Sequence, residues 1–296
     1  MSQVLGIDIG GTKIAVGVSG ADGPEIAARE RLDTGPGTLA RALAAGRRLD
    51  SAPAAVGFST TGVIRDGVVR LSPNVPGWDG LELPRLLAEE YGDIPVAIDN
   101  DVNAAAAAEL RWGALRGVST AVYLNLGTGL AAALIVGGQV IPGAHGAAGE
   151  IGYLQVEPGE PAFADGHVPL EERVSGSGLA RRAAALLGRP TTTAELLTRY
   201  APTAANGHVS GPDAAVRDLV AGTLRLLAAS VANLCVTLDP ERLVIGGGMM
   251  GAADVIMPGI LAEVRRAVPF APEVRQARFT DDAPLLGALA LAHAAL

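Results

Sequence analysis

The stretches that decide the fold are VLGIDIGGTKIAVGV (residues 4–18) and AVYLNLGTGLAAALIV (residues 121–136). Each is an apolar strand, an Asp or Asn, a turn of Gly and Thr, and a second apolar strand. Because glycine allows close approach and positive φ, such a turn presents several backbone N–H groups to one anion. An ordinary β-hairpin is the simpler interpretation of either copy alone. The repetition, with one copy in each half of the chain, predicts two lobes that grip a polyphosphate between them.

The composition of the 296-residue chain is that of a compact globular protein, with 49% hydrophobic and 18% charged residues. The formal net charge of −8 argues against a general nucleic-acid binder, because acidic surfaces repel phosphates. We find no basic leader with a cleavage site and no apolar run long enough to cross a bilayer, so we expect a cytoplasmic protein without a membrane partner. The single cysteine, Cys235, is expected to be buried packing, and the four histidines show no metal-ligand spacing.

Hydrophobic patterns and turn residues predict strands that alternate with helices, which favours an α/β architecture. In the first half the predicted strands are 4–9, 13–19, 25–32, 54–60 and 95–98, and the predicted helices are 37–48, 82–91 and 102–112. In the second half a hairpin over 120–136 is followed by predicted helices at 178–187, 191–200, 213–238, from 252 onward and 284–295, and by strands at 242–245 and 274–279. The stretch 157–170 is predicted to be a loop, and the boundary between the lobes is predicted near 112–118.

Three polar residues, Asp99-Asn100-Asp101, stand where the strand 95–98 meets an alanine-rich helix. Asn and Asp are common N-caps, and the helix dipole stabilises an acid in the first turn, so capping explains one of the three. In open α/β sheets the carboxyl ends of strands bind ligands. A carboxylate beside a bound hydroxyl is suited to act as general base in an attack on phosphorus. Because three polar residues exceed what a cap needs, the pattern favours a catalytic role for Asp101.

Other candidate residues are less specific when each is taken alone. An acid in a glycine-rich loop, such as Glu150, is usually just exposed to solvent. Glu171 stands at a predicted helix start, where the helix dipole favours a negative charge without any functional role. Trp78, in a loop of Pro and Gly, suits either packing or stacking on a sugar. The turn Gly246–Gly248 is more specific, since a strand, three glycines and a helix in succession give flat access to an adenine or a phosphate.

Taken together, these motifs resemble the ROK family of repressors and sugar kinases, within the actin-like ATPase superfamily, over essentially the whole chain. The segments that carry the resemblance are Asp8-x-Gly10-Gly11-Thr12-Lys13 and Asn125-x-Gly127-Thr128-Gly129 for the phosphate motifs, Asn74 with Pro76-Gly77-Trp78 for the sugar-side loop, Asn100-Asp101-x-Asn103-Ala104 for the catalytic signature, Gly149-Glu150-Ile151-Gly152 and Leu170-Glu171 with Ser175-Gly176 for the sugar-binding glutamates, and Gly246-Gly247-Gly248 for the adenosine side.

The resemblance implies an actin-like ATPase (ribonuclease H-like) fold of class α/β, with two lobes, 1–115 and 116–296, around a central cleft. The last helix, 284–295, is a candidate to pack back on the first lobe. The implied activity is ATP-dependent phosphorylation of a hexose or N-acetylhexosamine at O6, with Asp101 as the base, and the implied assembly is a homodimer. The residues implied to hold the sugar are Asn74, Asn100, Glu150 and Glu171. The residues implied to hold ATP are Asp8, Gly10, Gly11, Thr12, Lys13, Gly127, Thr128, Gly129, Gly246, Gly247 and Gly248, with Asp8 also binding Mg²⁺ through water.

Two departures from the family pattern limit what the resemblance implies. Family members commonly hold zinc with a cysteine-rich segment and the histidine of Gly-Glu-x-Gly-His. Here Tyr153 occupies the histidine position and no cysteine precedes Leu170, so we predict no zinc and assign no role to Tyr153. Alanines at 131–133 replace glycines after the second phosphate turn, and their methyl groups are expected to narrow access to the phosphates.

A sugar-binding regulator or sensor without kinase activity is the alternative interpretation. ROK repressors carry a DNA-binding module before the first phosphate motif, whereas here that motif begins at residue 8 and the chain is acidic. The joint presence of Asp101, Glu150 and Glu171 also favours the kinase.

Overall fold

The structure is a computed structural model that describes residues 3–20, 22–72, 75–200 and 211–296. These residues form twelve strands: β1 (Val4–Ile9), β2 (Lys13–Ser19), β3 (Ala28–Asp33), β4 (Ala55–Thr60), β5 (Val63–Arg65), β6 (Val68–Arg70), β7 (Val96–Asn100), β8 (Ala121–Leu126), β9 (Leu130–Val136), β10 (Gln139–Val140), β11 (Arg242–Gly246) and β12 (Glu273–Gln276). The same residues form nine α-helices: α1 (Thr38–Leu49), α2 (Leu83–Tyr91), α3 (Asp101–Trp112), α4 (Pro169–Val174), α5 (Gly176–Leu187), α6 (Thr193–Tyr200), α7 (Pro212–Leu238), α8 (Ala253–Ala267) and α9 (Ala283–Ala295). Short 3₁₀ turns occupy Ile151–Tyr153, Phe163–Asp165 and Gly248–Ala252.

The chain divides into two compact units. The first comprises Met1–Val118, Gly138–Ala148 and Asp281–Leu296, and the second comprises Ser119–Gly137 and Gly149–Thr280. This division differs from a single cut at residue 115, because two later segments, one of them α9, group with the first unit.

Both units contain the same arrangement of four strands, β2-β1-β4-β7 in the first and β9-β8-β11-β12 in the second. The first sheet has the order β3-β2-β1-β4-β7, in which β1 pairs antiparallel with β2 and parallel with β4. In the second unit β8 pairs antiparallel with β9 and parallel with β11, and β12 follows β11 in parallel. The two hairpins predicted from residues 4–18 and 121–136 are therefore confirmed, and each opens a sheet of the same topology.

Most predicted elements are confirmed to within one or two residues. The strand predicted at 274–279 is shorter, since β12 ends at Gln276. Other differences have local causes. The third strand begins at Ala28 and not at residue 25, because Gly23 and Pro24 lie in a bend. The strand predicted at 95–98 continues as β7 through Asn100, and α3 begins at once at Asp101. The stretch 157–170, predicted to be loop, contains the 3₁₀ turn Phe163–Asp165 and the start of α4.

Helix α9 belongs to the core of the first unit. It packs against α3 and against β1, β4 and β7. Two glycines permit this approach: a Cβ on Gly57 would lie 1.7 Å from the carbonyl oxygen of Ala288, and a Cβ on Gly287 would lie 2.2 Å from the carbonyl carbon and oxygen of Ala104. Because α9 has no polar side, it is suited to burial on all faces.

Helix α7 corrects the expectation that no apolar run is long enough to span a membrane. Its 27 residues are long and apolar enough by length and composition alone. In the structure the helix packs within the second unit against α4, α5, α6 and α8. Val220, Leu227, Val231 and Cys235 lie in the hydrophobic core, which confirms the expectation for the cysteine. A core helix of a large α/β unit therefore accounts for this composition.

Candidate active site

The carboxyl ends of three parallel strands lie side by side in the first sheet. Asp8 of β1 lies opposite Ser59 of β4, which lies opposite Asp99 of β7. The hydroxyl of Ser59 donates a 2.8 Å hydrogen bond to Oδ1 of Asp8. Asp101 follows directly after β7 as the first residue of α3. The sheet therefore brings three carboxylates to its ligand-binding edge.

Capping of α3 and the turn before it account for Asp99 and Asn100, the two polar residues that precede Asp101. Asn100 is the N-cap of α3, and its Oδ1 accepts a 2.7 Å hydrogen bond from the backbone N–H of Asn103. Oδ1 of Asp99 accepts 2.8 Å bonds from the N–H of Asn100 and from Nδ2 of Asn103. These bonds fix the turn from β7 into α3, and they leave the Asp101 carboxylate outside the cap.

Burial raises the pKa values of all three acids, including Asp99, whose hydrogen bonds from Asn103 and Asn100 oppose the rise. It raises the pKa of Asp101 to about 6, although backbone N–H groups, including that of Val102, lower it. It raises the pKa of Asp8 to about 7; the hydrogen bond from Ser59 opposes this rise and the negative charge of Asp101 adds to it. Carboxyls poised near neutrality are typical of catalytic and cation-binding sites. This edge of the sheet is thus a concentrated, incompletely neutralised negative region.

The first glycine turn, Gly10–Lys13, is closed by backbone hydrogen bonds. The N–H of Gly10 donates to the carbonyl of Lys13 at 2.8 Å, and the hydroxyl of Thr34 donates to the carbonyl of Gly10 at 2.7 Å. The side chains of Thr12 and Lys13 are exposed. Lys13 is also the only lysine in the sequence, whose other 22 basic residues are arginine. The turn therefore carries an exposed ammonium group and an exposed hydroxyl, and it directly follows β1, the strand that holds Asp8.

The predicted sugar-side loop can be placed only in part. Asn74 lies outside the described residues. Trp78 is 2% exposed, and its indole N–H donates a 2.7 Å hydrogen bond to the hydroxyl of Thr60. Of the two interpretations left open for Trp78, the structure supports packing.

The second glycine turn, between β8 and β9, is held by the start of α5. The N–H of Gly127 donates to the carbonyl of Gly129 at 3.1 Å. The carbonyl of Gly127 accepts a 2.9 Å bond from the N–H of Gly176, and the carbonyl of Thr128 accepts bonds from the N–H (3.2 Å) and the hydroxyl (2.7 Å) of Ser177. The carbonyls of all three turn residues thus accept hydrogen bonds from the protein, while the side chain of Thr128 stays exposed.

Glu171 of α4 also contacts this turn. Its Oε2 accepts a 2.8 Å hydrogen bond from the N–H of Leu130, and a Cβ on Gly129 would lie 2.7 Å from the same oxygen. The residue implied to bind sugar is therefore in direct contact with the implied phosphate turn.

The glycine turn after β11 approaches the same place. Gly247 has φ of 93°, and a Cβ there would lie 2.5 Å from the carbonyl oxygen of Leu126. The backbone N of Gly248 lies 3.6 Å from where a Cβ on Gly127 would stand. Gly246 is the last residue of β11. Within the second unit, the Gly246–Gly248 turn and the second glycine turn are thus neighbours.

Glu150 follows Gly149, a position that has no room for a side chain. Gly149 has φ of 88°, and a Cβ there would lie 1.9 Å from the carbonyl oxygen of Ala132. The carbonyl of Gly149 accepts a 2.8 Å bond from the N–H of Ala132, which fixes the loop against β9. Glu150 itself is partly buried. Ala132 and Ala133, two of the alanines that replace family glycines, are buried in the strand.

The segment that stands where the family carries its zinc motif is fastened to α4 by charged side chains. Arg173 pairs with Glu157 at 2.8 Å and with Glu160 at 2.6 Å. Glu160 also accepts a 3.0 Å bond from the N–H of Glu157, and Nδ1 of His167 lies 3.1 Å from Oε1 of Glu172. Three consecutive residues of α4, Glu171 to Arg173, thus connect the second glycine turn and this loop. We refer to the contact of Arg173 with Glu157 and Glu160 as the arginine clamp.

Sequence reasoning missed three side chains that organise these sites. Ser59 was detectable as a polar residue in an apolar strand. Ser177 was detectable as a hydroxyl at the start of a predicted helix, next to the Ser175-Gly176 motif. Arg173 carries no sequence signal of its own, because its partners lie 13 and 16 residues away in an irregular segment.

A duplicated sheet with a glycine turn after the first strand of each copy is the actin-like ATPase fold. Two solved structures with this fold are similar over nearly the whole chain. The ROK hexokinase from Thermus thermophilus is 32% identical, with 99% of this chain and 98% of that one covered and a TM-score of 0.83. The ROK family glucokinase from Streptomyces griseus, solved with glucose and AMPPNP, is 28% identical, with coverages of 99% and 100% and a TM-score of 0.77.

The chain belongs to the ROK family, whose family model matches residues 4–295. Among its relatives, the N-acetylmannosamine kinase of Shigella boydii serotype 18 is 34% identical over 304 residues, which cover 98% of each chain. The resemblance drawn from the motifs is therefore confirmed.

Proposed function

We propose that the protein transfers the γ-phosphoryl group of ATP to the O6 hydroxyl of a hexose or an N-acetylhexosamine. The protein is an ATP-dependent sugar kinase, as are relatives that match it over nearly their full length. The observation that carries the finer proposal is the row of carboxylates at the edge of the first sheet. In that row Asp101 is not the N-cap residue of α3, and Asp8 adjoins the first glycine turn.

Asp101 is the proposed base. It accepts the proton of the sugar hydroxyl as that oxygen attacks the γ-phosphorus, the bond from phosphorus to its bridging oxygen breaks, and ADP leaves. With its pKa raised to about 6, Asp101 is ionised at pH 7 and is still a stronger base than an exposed carboxylate.

Asp8 fits a magnesium ion held through water. One of its oxygens is taken by Ser59, and the adjacent charge of Asp101 makes the region favourable to a cation. Bound Mg²⁺ supplies neutralisation of the charge on the β- and γ-phosphates. The proposed phosphate ligands are Gly10, Gly11, Thr12 and Lys13 in the first unit and Gly127, Thr128 and Gly129 in the second, and Gly246, Gly247 and Gly248 are proposed to face the adenosine.

The remaining sugar hydroxyls are assigned to Asn74, Asn100, Glu150 and Glu171. Carboxylates and amides suit this role because each accepts several hydrogen bonds. The contact of Glu171 with Leu130 supports a further point, that sugar and phosphate binding share one hydrogen-bonded network.

The experiment that tests the proposed function measures ADP release with a panel of sugars, including D-glucose, D-mannose, N-acetyl-D-glucosamine and N-acetyl-D-mannosamine. We expect sugar-dependent ADP release and a product phosphorylated at O6 by NMR. ADP release that no sugar stimulates, combined with tight sugar binding, would instead support the sensor.

The rate is expected to depend on pH through Asp101. The ionised carboxylate is the active form, so acidification through its pKa of about 6 removes activity. At saturating ATP and Mg²⁺, kcat/KM for the sugar should be half-maximal near pH 6 and fall about tenfold per unit below it, because kcat/KM reports the enzyme before the sugar binds. Direct measurement of ADP by chromatography between about pH 5 and 8 avoids a coupling enzyme. Thermal melting at each pH controls for unfolding, and a kcat/KM that does not change with pH would contradict the assignment.

The arginine clamp is expected to affect sugar affinity more than turnover. Arg173→Met removes both ion pairs and should raise the KM for the sugar about three- to tenfold with kcat nearly unchanged, because α4 carries Glu171. Arg173→Lys should raise the KM less than Arg173→Met does. One ammonium group can replace only part of the contact that the guanidinium makes with two carboxylates.

Arg266→Met is the matched control, because Arg266 pairs with Glu263 on an exposed helix face far along the chain. Treatment with EDTA, followed by restored Mg²⁺, should leave the sugar KM unchanged if charged side chains hold the loop. Equal effects of the Arg173 and Arg266 variants would show that the clamp has no special role.

We also propose a cytoplasmic homodimer that binds neither nucleic acid nor membranes. Family resemblance supports the dimer, and the net charge of −8 supports the lack of affinity for nucleic acid. Light scattering on a sizing column measures the assembly directly.

A further inference from the structure

Tyr153 stands where the resembled family has a zinc-binding histidine, and the proposed function leaves it without a role. It ends the 3₁₀ turn that begins after Glu150, and its N–H donates a 3.2 Å hydrogen bond to the carbonyl of Glu150. The same turn is packed against α4, since a Cβ on Gly152 would lie 3.1 Å from Cβ of Glu171. The turn that carries Tyr153 is thus held beside both residues whose carboxylates we assign to the sugar.

The electrostatics agree with this placement. Burial raises the pKa of the Tyr153 hydroxyl, and the negative charges of Glu150 and Glu171 raise it further. The phenol therefore stays protonated at physiological pH and keeps a hydrogen-bond donor near two carboxylates that only accept.

The ring of Tyr153 has an aromatic neighbour. Phe163 lies edge to face with it, with the ring centroids 5.6 Å apart and the planes at 80°. Phe163 is 60% exposed, so part of its ring is accessible to a ligand. The loop that carries it is fastened by the arginine clamp. An apolar surface is therefore held in place next to the donor and the two carboxylates.

We propose that Tyr153 and Phe163 form a subsite for the acetamido group, which makes N-acetylhexosamines the preferred acceptors. The hydroxyl of Tyr153 donates to the acetamido carbonyl oxygen, and the exposed face of Phe163 packs on the acetamido methyl. Glu150 and Glu171 accept hydrogen bonds from the sugar hydroxyls. A plain hexose has only a hydroxyl to place against the aromatic ring, so it gains less from Phe163. This inference rests on the proposed function.

The test compares kcat/KM for N-acetyl-D-mannosamine, N-acetyl-D-glucosamine, D-mannose and D-glucose. The wild-type protein should favour at least one N-acetylhexosamine over its parent hexose by about tenfold or more, the scale of one methyl group in an apolar contact. Phe163→Ala should reduce that ratio about tenfold, through KM for the N-acetyl sugar. Tyr153→Phe keeps the ring, so it should raise the KM for N-acetyl sugars about three- to tenfold and leave kcat nearly unchanged.

Phe270→Ala is the matched control, because Phe270 is a 79% exposed phenylalanine in the same unit. It should change neither the ratio nor the KM values. Equilibrium binding of each sugar by calorimetry checks that the changes in KM are changes in affinity.

The outcomes separate this inference from the proposed function. If no sugar is phosphorylated, the proposed function fails. If sugars are phosphorylated but the wild type does not favour an N-acetyl sugar, the subsite assignment is overturned. The assignment is also overturned if Phe163→Ala behaves like Phe270→Ala, or if Tyr153→Phe changes kcat and not KM.

Discussion

Replacing Asp101 with asparagine is expected to lower kcat by about 100- to 10,000-fold, which is the contribution of a positioned general base. The change preserves the shape of the side chain and removes its basicity. Because Asn100 and not Asp101 caps α3, the fold should be unaffected. Sugar and nucleotide should still bind, and calorimetry of each ligand measures this separately from turnover.

The same substitution two residues earlier provides the control. Asp99 accepts hydrogen bonds from the N–H of Asn100 and the amide of Asn103, and an asparagine oxygen can accept both. Asp99→Asn should therefore keep kcat within about tenfold of the wild type. If Asp99→Asn loses as much turnover as Asp101→Asn, general charge loss and not proton transfer explains the result.

Two glycine-to-alanine changes in helices should alter stability in opposite directions. Gly287→Ala in α9 places a methyl group 2.2 Å from the backbone of Ala104, so the helix must move away from α3. We expect destabilisation by about 3 kcal/mol or more. Gly259→Ala in α8 meets no atom within 4 Å and should stabilise by up to about 1 kcal/mol, because alanine loses less conformational entropy.

Urea unfolding followed by circular dichroism measures both changes. Since the protein has two units, the transition is fitted with an intermediate where two steps are resolved. Equal effects of the two variants would show that the contact between α9 and α3 is looser than the structure indicates.

The sequence was most informative where function constrains a local pattern. The hairpins that enclose the two glycine turns, and the junction of β7 with α3, follow from strand periodicity, glycine and a run of alanine. Contacts between distant segments were not predictable in this way. The bond from Leu130 to Glu171 spans 41 residues, and nothing in a glutamate at a helix start indicates which backbone N–H it will meet.

Side-chain roles were harder to predict than side-chain locations. Trp78 was equally consistent with a sugar platform and with packing, and its burial follows from the way β4 places Thr60 beside the indole N–H. The zinc-motif replacement was identified only as a loss of cysteines. The arginine clamp that fastens this loop depends on the path of an irregular segment, which no local propensity specifies.

The position of α9 has a consequence for how the chain folds as it is synthesised. Strands β1 and β4 emerge from the ribosome long before α9, the helix that covers them, which ends at residue 295. At about 5–20 residues per second, these strands wait on the order of ten to fifty seconds for their cover. Their apolar faces are exposed during that interval, so the nascent first unit is expected to be a chaperone client, whereas residues 119–280 are all available earlier.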